Sequence, residues 1–155
     1  MGDKYSAGLQ QTAITAVDGA TGTDAVGELL GVVTVRGRIY DILFGHGSAP
    51  ADTVIRWEVA RATTSATGTA ALEVPLDLDA PAADLLVEEE VTVGPTVTVD
   101  QQLIDMDLNQ RATFRWIAAP DAEFMVPASA TGAIFFNASS ATYTGIARIT
   151  VMWEE

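Results

Sequence analysis

The chain contains no cysteine, a single lysine (Lys4) and a single histidine (His46). It also has no apolar run long enough to cross a membrane as a helix. Without cysteine there are no disulfides and no thiolate metal sites. Lys and Arg total 8 against 21 Asp and Glu, a formal net charge of −13. Free nucleic acid is bound by neutralising phosphates, so this balance excludes the basic footprint such binding needs. An anionic membrane surface is disfavoured for the same reason. The N-terminal stretch MGDKYSAGLQQ lacks the apolar centre of a secretory signal. Helical periodicity is scarce too. No segment sustains a 3.6-residue apolar stripe over three turns, and the best helical candidate, Ala80 to Glu90, is kept short by Pro81 and Val87.

What the chain does have is alternation. Its 155 residues are 48% apolar and 19% charged, with mean hydropathy +0.24, which suits one folded domain with one continuous core. In Thr53 to Ala62, Ile55, Trp57 and Val59 face one way and Arg56 and Glu58 the other. The same period predicts strands over Val91 to Val99 (interrupted at Gly94-Pro95), Arg111 to Ala118 and Gly145 to Trp153, and further strands are expected at Gln11 to Val17, the short Glu123 to Val126 and the apolar Gly132 to Phe136. Leu29 to Phe44 reads as two strands, or as one strand bulged at Gly37. Asp18 to Asp24, DGATGTD, is a turn cluster, and GHGSAP at Gly45 to Pro50 is a loop with His46 near its tip. About eight strands joined by Gly, Pro, Ala and Thr predict an all-β protein, an antiparallel sandwich of jelly-roll-like form. Residues 1–8 are expected to form a short N-terminal arm, with a single sandwich domain over 9–155.

Residues 73–107 carry Glu73, Asp77, Asp79, Asp84, Glu88, Glu89, Glu90, Asp100, Asp105 and Asp107, and neither Lys nor Arg. This is either a solvated face or a contact patch for a basic partner or cations. Asp77, Asp79 and Asp84 fit no EF-hand spacing, and the simpler expectation turns Leu76 and Leu78 inward and the aspartates to water. Proximity of His46, Ser48 and Asp52 does not make a triad, which requires an oriented carboxylate and an oxyanion hole in register. Asp105 and Asp107 share a strand face, but a glycosidase pair stands roughly 5–9 Å apart in an aromatic-lined cleft. Trp57, Trp116 and Trp153 all alternate with polar residues, as core side chains do. These patterns call for neither a cofactor nor a metal. Arg56, Arg61, Arg111 and Arg115 lie on polar strand faces, either as oligomer anchors or in cross-strand pairs.

Four segments in order, AITAVDGATGTDAVGELLGV, TVIRWEVARATTSATGTAALEVPLDLDAP, LNQRATFRWIAAPDAEFMVPASATGAIFFNAS and TYTGIARITVMWEE, resemble small head structural proteins of tailed bacteriophages, the capsid decoration or cement proteins. The resemblance spans roughly residues 9–155 and lies in layout and loop composition. It implies a non-enzymatic virion protein on the outer capsid surface. Its partner would be the major capsid protein, and it would act as a homo-oligomer, often a trimer. Lys4 and Tyr5 of the arm, with Arg56, Arg61, Arg111 and Arg115, are then the expected contact residues. The competing reading is a tail or fibre module binding a host receptor or glycan through exposed aromatics, for which Phe124 and Tyr143 are the candidates.

Overall fold

The alternating segments are realised as two antiparallel sheets. A computed structural model describes residues 2–12, 14, 25–47, 49–141, 143 and 145–155, with the side chains of all but 98–100. The strands in chain order are β1 (Lys4–Gln11), β2 (Ala25–Leu30), β3 (Arg38–His46), β4 (Val54–Ala62), β5 (Thr67–Ala70), β6 (Val74–Pro75), β7 (Leu86–Val93), β8 (Val97–Asn109), β9 (Phe114–Ile117), β10 (Phe124–Met125), β11 (Ala133–Ser139) and β12 (Ala147–Glu154). Sheet A runs β10-β3-β12-β1-β6, with β9 also pairing β3, and sheet B runs β5-β7-β2-β11-β4-β8.

Three expectations are corrected here. Residues 1–8 are not an arm. Lys4 to Gln11 pairs along its whole length with β12, from Lys4 opposite Glu154 to Gln11 opposite Ala147, and its Tyr5, Ala7 and Leu9 are buried. The short polar residues disguised a strand whose alternation starts at Tyr5. Ala80 to Glu90 is not helical. Its second half enters β7, where cross-strand pairing to β2 and β5 outweighs a weak helical preference. Leu76 and Leu78 do not turn inward; they are 52% and 96% exposed. The predicted strand and turn over residues 13 and 15–24 lie outside the described residues. Leu29 to Phe44 resolves into two strands in different sheets. Gly37 sits where they diverge because a Cβ there would collide with the Leu85 side chain.

The main core lies between the sheets. Tyr5 and Leu9 of β1, Ile42 and Phe44 of β3, and Val151 and Trp153 of β12 pack with Leu29, Ile55, Trp57, Ile134 and Phe136 of sheet B. Each such side chain contributes roughly 1.5–3 kcal/mol on burial. The aromatic contacts are specific: Tyr5 stacks on Trp153 at 5.8 Å, and Phe44 meets Trp57 edge-on at 5.3 Å.

A second, smaller core lies beside it. Ala60 and Ala62 of β4 and Ala133 and Phe135 of β11 pack with Ala66, Val91 and Val97. The cause is topological. β5 pairs at the opposite edge of sheet B from β4, so the connecting link, residues 63–66, must pass across the sheet. Thr63 and Thr64 tie that link to Thr96 in the β7–β8 turn, through Thr63 N to Thr96 O at 2.9 Å and Thr96 N to Thr64 Oγ1 at 2.7 Å. β4 and β11 are therefore buried on both faces, which is why Ala133 to Phe136 is an unbroken apolar run.

β7 also closes one side of the sandwich. Glu90 takes a left-handed φ of 49° beside a register shift, unusual for a side chain of this kind. Its carboxylate accepts from Thr12 N (3.1 Å) and Thr12 Oγ1 (3.0 Å), while Glu89 accepts from Gln10 N (2.9 Å) and Gln11 Nε2 donates to Val91 O (3.1 Å). Gln10 and Gln11 of β1 and the following Thr12 thus fasten the end of β1 to three successive residues of β7, across the gap between the sheets.

Candidate interaction face

The inward residues of sheet A determine what its other face presents. With Leu9, Phe44, Ile149 and Val151 in the core, Gly8, Gly45, Arg148 and Thr150 face outward. Gly8 stands opposite Thr150, and Gly45 opposite Arg148. The two glycines flank β12 and leave strips without side chains on either side of it. The result is one shallow groove of about 380 Å³ lined by Gly8, Gln10, Glu89, Arg148 and Thr150, and a smaller one of about 100 Å³ lined by Leu43, Gly45, Thr113, Arg148 and Thr150. Arg148 and Thr150 form the ridge between them. Among the described residues Arg148 has no ion-pair partner. Leu43 and Ile117 flank this face at 43% and 61% exposure.

Charge is divided between the sheets. The strands of sheet A carry Lys4, Arg38, Arg115 and Arg148 against Asp41 and Glu154. Those of sheet B carry Arg56 and Arg61 against Glu28, Glu58, Glu88, Glu89, Glu90, Asp105 and Asp107. The acidic bias of residues 73–107 is thus largely a property of the two flanks of sheet B, β7 and β8.

The six residues expected to make contacts do not converge on one patch. Tyr5 is a correction: it is 1% exposed, and its hydroxyl donates to Pro81 O at 3.2 Å, so its side chain belongs to the core. The Lys4 ammonium lies 5.4 Å from the centre of the Tyr40 ring. Arg115 lies on sheet A and grips the buried Asp41 carboxylate with Nε and Nη2, a fork held across β3 and β9. Arg56 is on sheet B, paired with Asp105 at 2.8 and 2.9 Å. Arg61 donates to Met125 O at 3.4 Å, and Arg111 to Pro50 O at 3.5 Å, at two separate ends of the molecule. For Arg56 and Arg115 the cross-strand pairing left open by the sequence is the arrangement found. Arg148, Gly8 and Gly45 were missed. Their signal was available in the inward set Ile149, Val151 and Trp153, which leaves Arg148 and Thr150 outward.

The Arg56–Asp105 pair carries a modest prediction. Arg56 holds the Asp105 carboxyl below the usual carboxylate range, chiefly through the hydrogen bond, but both side chains are a third or more exposed. Arg56→Ala should lower stability by no more than about 1 kcal/mol in urea melts. A loss of several kcal/mol would mean that the pair anchors the β8 edge.

The sites weighed from the sequence look different in three dimensions. His46 is not a loop tip. It ends β3, half-buried against Trp57 (5.5 Å) and Tyr143 (5.7 Å), where burial lowers its pKa and keeps the imidazole neutral at pH 7. Tyr143 is 4% exposed and donates to Ile146 O at 3.0 Å. Phe124 is half-buried and stacked on Trp116 at 4.1 Å. Neither ring is the exposed loop aromatic that a receptor- or glycan-binding module would need. No protein-family model, curated protein or solved structure matches the chain.

Proposed function

We propose that this is a virion structural protein of a tailed bacteriophage, a decoration protein that binds the outer capsid lattice and stabilises the head. In this reading sheet A turns toward the major capsid protein and sheet B toward solvent. The observation that carries it is the division of charge. The grooved face bears Arg148 and the apolar Leu43 and Ile117, with Glu89 at the rim of the larger groove, while most strand carboxylates belong to sheet B, where Asp105 and Asp107 are exposed on the edge strand β8. A carboxylate-rich outer side keeps a crowded particle surface soluble. Many copies on a repeated lattice need only shallow, individually weak contacts, because avidity multiplies them. The resemblance in segment order supports the same reading and favours a homo-oligomer, a trimer.

Strand order supports a jelly roll. With β5, β6, β7 and β10 set aside, eight strands remain. By rank in the chain they run sixth-third-eighth-first in sheet A and second-seventh-fourth-fifth in sheet B. We read this as the nested Greek-key order of that fold.

Gly8→Trp tests the proposal. A Cβ at Gly8 meets no atom within 4 Å, so the variant should fold as the parent does, with the indole filling the larger groove. Pelleted with bare capsids, it should bind at least about tenfold more weakly, a loss of roughly 1.4 kcal/mol per site. Full decoration by Gly8→Trp would exclude sheet A as the docking face. Failure of the unmodified protein to pellet with capsids would exclude the decoration role itself.

A further inference from the structure

Two carboxylates on sheet B are placed where carboxylates should not both be charged. Glu28 is fully buried, at 0% exposure, on the face of β2 that carries Leu30. It stands directly opposite Glu88 of β7. Side chains so paired have Cβ atoms roughly 4.5–5.5 Å apart, within reach of each other's oxygens. One oxygen of Glu28, Oε1, accepts from the backbone N of Ala66 at 2.9 Å. The other, Oε2, is buried without a partner among the described residues, and so is Oε2 of Glu88. Two lone acceptors on facing side chains are costly unless a donor lies between them. A proton is the smallest donor that fits.

We propose that Glu28 and Glu88 bind one proton between them, and that this shared proton fastens the 63–70 strap over the second core. With the proton on Glu28, its hydroxyl donates to Glu88, and its carbonyl oxygen remains free to hold Ala66 N. One added hydrogen thereby satisfies both orphaned oxygens. The strap is the link of residues 63–66 with β5, and β5 itself pairs with β7 through Ala70 opposite Glu88. Glu88 therefore lies beside the strap in the β5–β7 pairing, while Glu28 holds it from β2 through the Ala66 amide.

Burial and the facing Glu88 oppose charge on Glu28, and the Ala66 amide alone favours it. From β7 it faces Glu88, from β11 the ring of Phe135, and from the strap the Ala66 amide. Glu58 of β4, the nearest acid beyond β11, is bonded to Asn137 Nδ2 at 3.4 Å. Burial raises the Glu28 pKa to about 7, the Ala66 amide opposes this, and the Glu88 charge adds to the rise. The folded value lies above the unfolded one, so the folded state holds more protons between them. The stabilisation is complete below the unfolded carboxylate range and is lost as pH rises through about 7.

The test is a carboxyl NMR titration of the whole chain, with amide exchange at Ala66 and two variants, Glu28→Gln and Glu88→Gln. One glutamate carboxyl should titrate near neutrality in the parent and vanish from that range in Glu28→Gln. In Glu88→Gln its midpoint should fall. Ala66 exchange, corrected for intrinsic base catalysis, should accelerate about tenfold between pH 6 and 8 in the parent. It should stay flat in Glu28→Gln, whose amide supplies the missing donor permanently. A parent in which all glutamates titrate below pH 5, or equal pH responses of Ala66 in parent and Glu28→Gln, would overturn the proposal.

Discussion

Deleting residues 1–8 should abolish cooperative unfolding. The deletion removes the β1 ladder from Lys4–Glu154 to Gly8–Thr150, and β6 loses its partner, since it pairs with β1 at Tyr5 and Ser6. It also takes Tyr5 from its stack on Trp153, which would then face water across an open seam. Burial of Tyr5 is worth roughly 1.5–3 kcal/mol. Each lost backbone hydrogen bond adds about 1 kcal/mol. The total is comparable to the roughly 5–15 kcal/mol that stabilises an ordinary domain. A shorter deletion is the control. Residues 2 and 3 contribute Gly2 N to Glu154 Oε1 at 2.8 Å and the reciprocal Asp3–Glu155 backbone pair at 3.0 Å. Removing residues 1–3 should therefore cost only about 1–2 kcal/mol in urea melts. If the longer deletion melts cooperatively within about 1 kcal/mol of the parent, β1 contributes little to the fold.

Trp57→Ala should destabilise the protein by about 3–5 kcal/mol in equilibrium unfolding, while Trp57→Phe should cost under about 1.5 kcal/mol. Trp57 is fully buried and joins the sheets. From β4 it meets Phe44 and His46 of β3, and His46 in turn meets Tyr143. Alanine leaves a cavity between sheets that cannot collapse without shifting both. Phenylalanine keeps most of the packing and also removes the indole Nε1, a buried donor that lacks a partner among the described residues. The informative quantity is the difference between the variants. Equal losses would show that the indole edge, rather than the ring's bulk, carries the contact.

The fold class was legible because a strand's period of two needs only neighbouring residues to be read. Ile55, Trp57 and Val59 alternate with Arg56 and Glu58, and Ile149, Val151 and Trp153 alternate with Thr150 and Met152. Burial follows that pattern, except where a strand is covered on both faces. β4 is such a case: Glu58 and Ala60, on the polar side by sequence, are both buried, Ala60 in the second core with Ala66 of the strap. Residues 1–8 were misread because Ser6, Ala7 and Gly8 are small, and smallness conceals which side of a strand is the core. The same holds for the interaction face. A groove made by Gly8 and Gly45 consists of missing side chains on strands at opposite ends of the first 45 residues, and β12, from the far end of the chain, is what sets them side by side.

Composition and alternation by themselves determined an acidic, disulfide-free, all-β protein and most of its core, because hydrophobic burial acts on each residue through its own side chain and its strand period. Strand order alone decided the rest: that β1 lies between β12 and β6, that Arg56 and Arg115 are held by Asp105 and Asp41, that most strand carboxylates fall on sheet B, and that Glu28 meets Glu88. These are pairings between residues far apart in the chain. No local pattern encodes them, because which strands lie side by side is chosen by packing the whole sandwich at once.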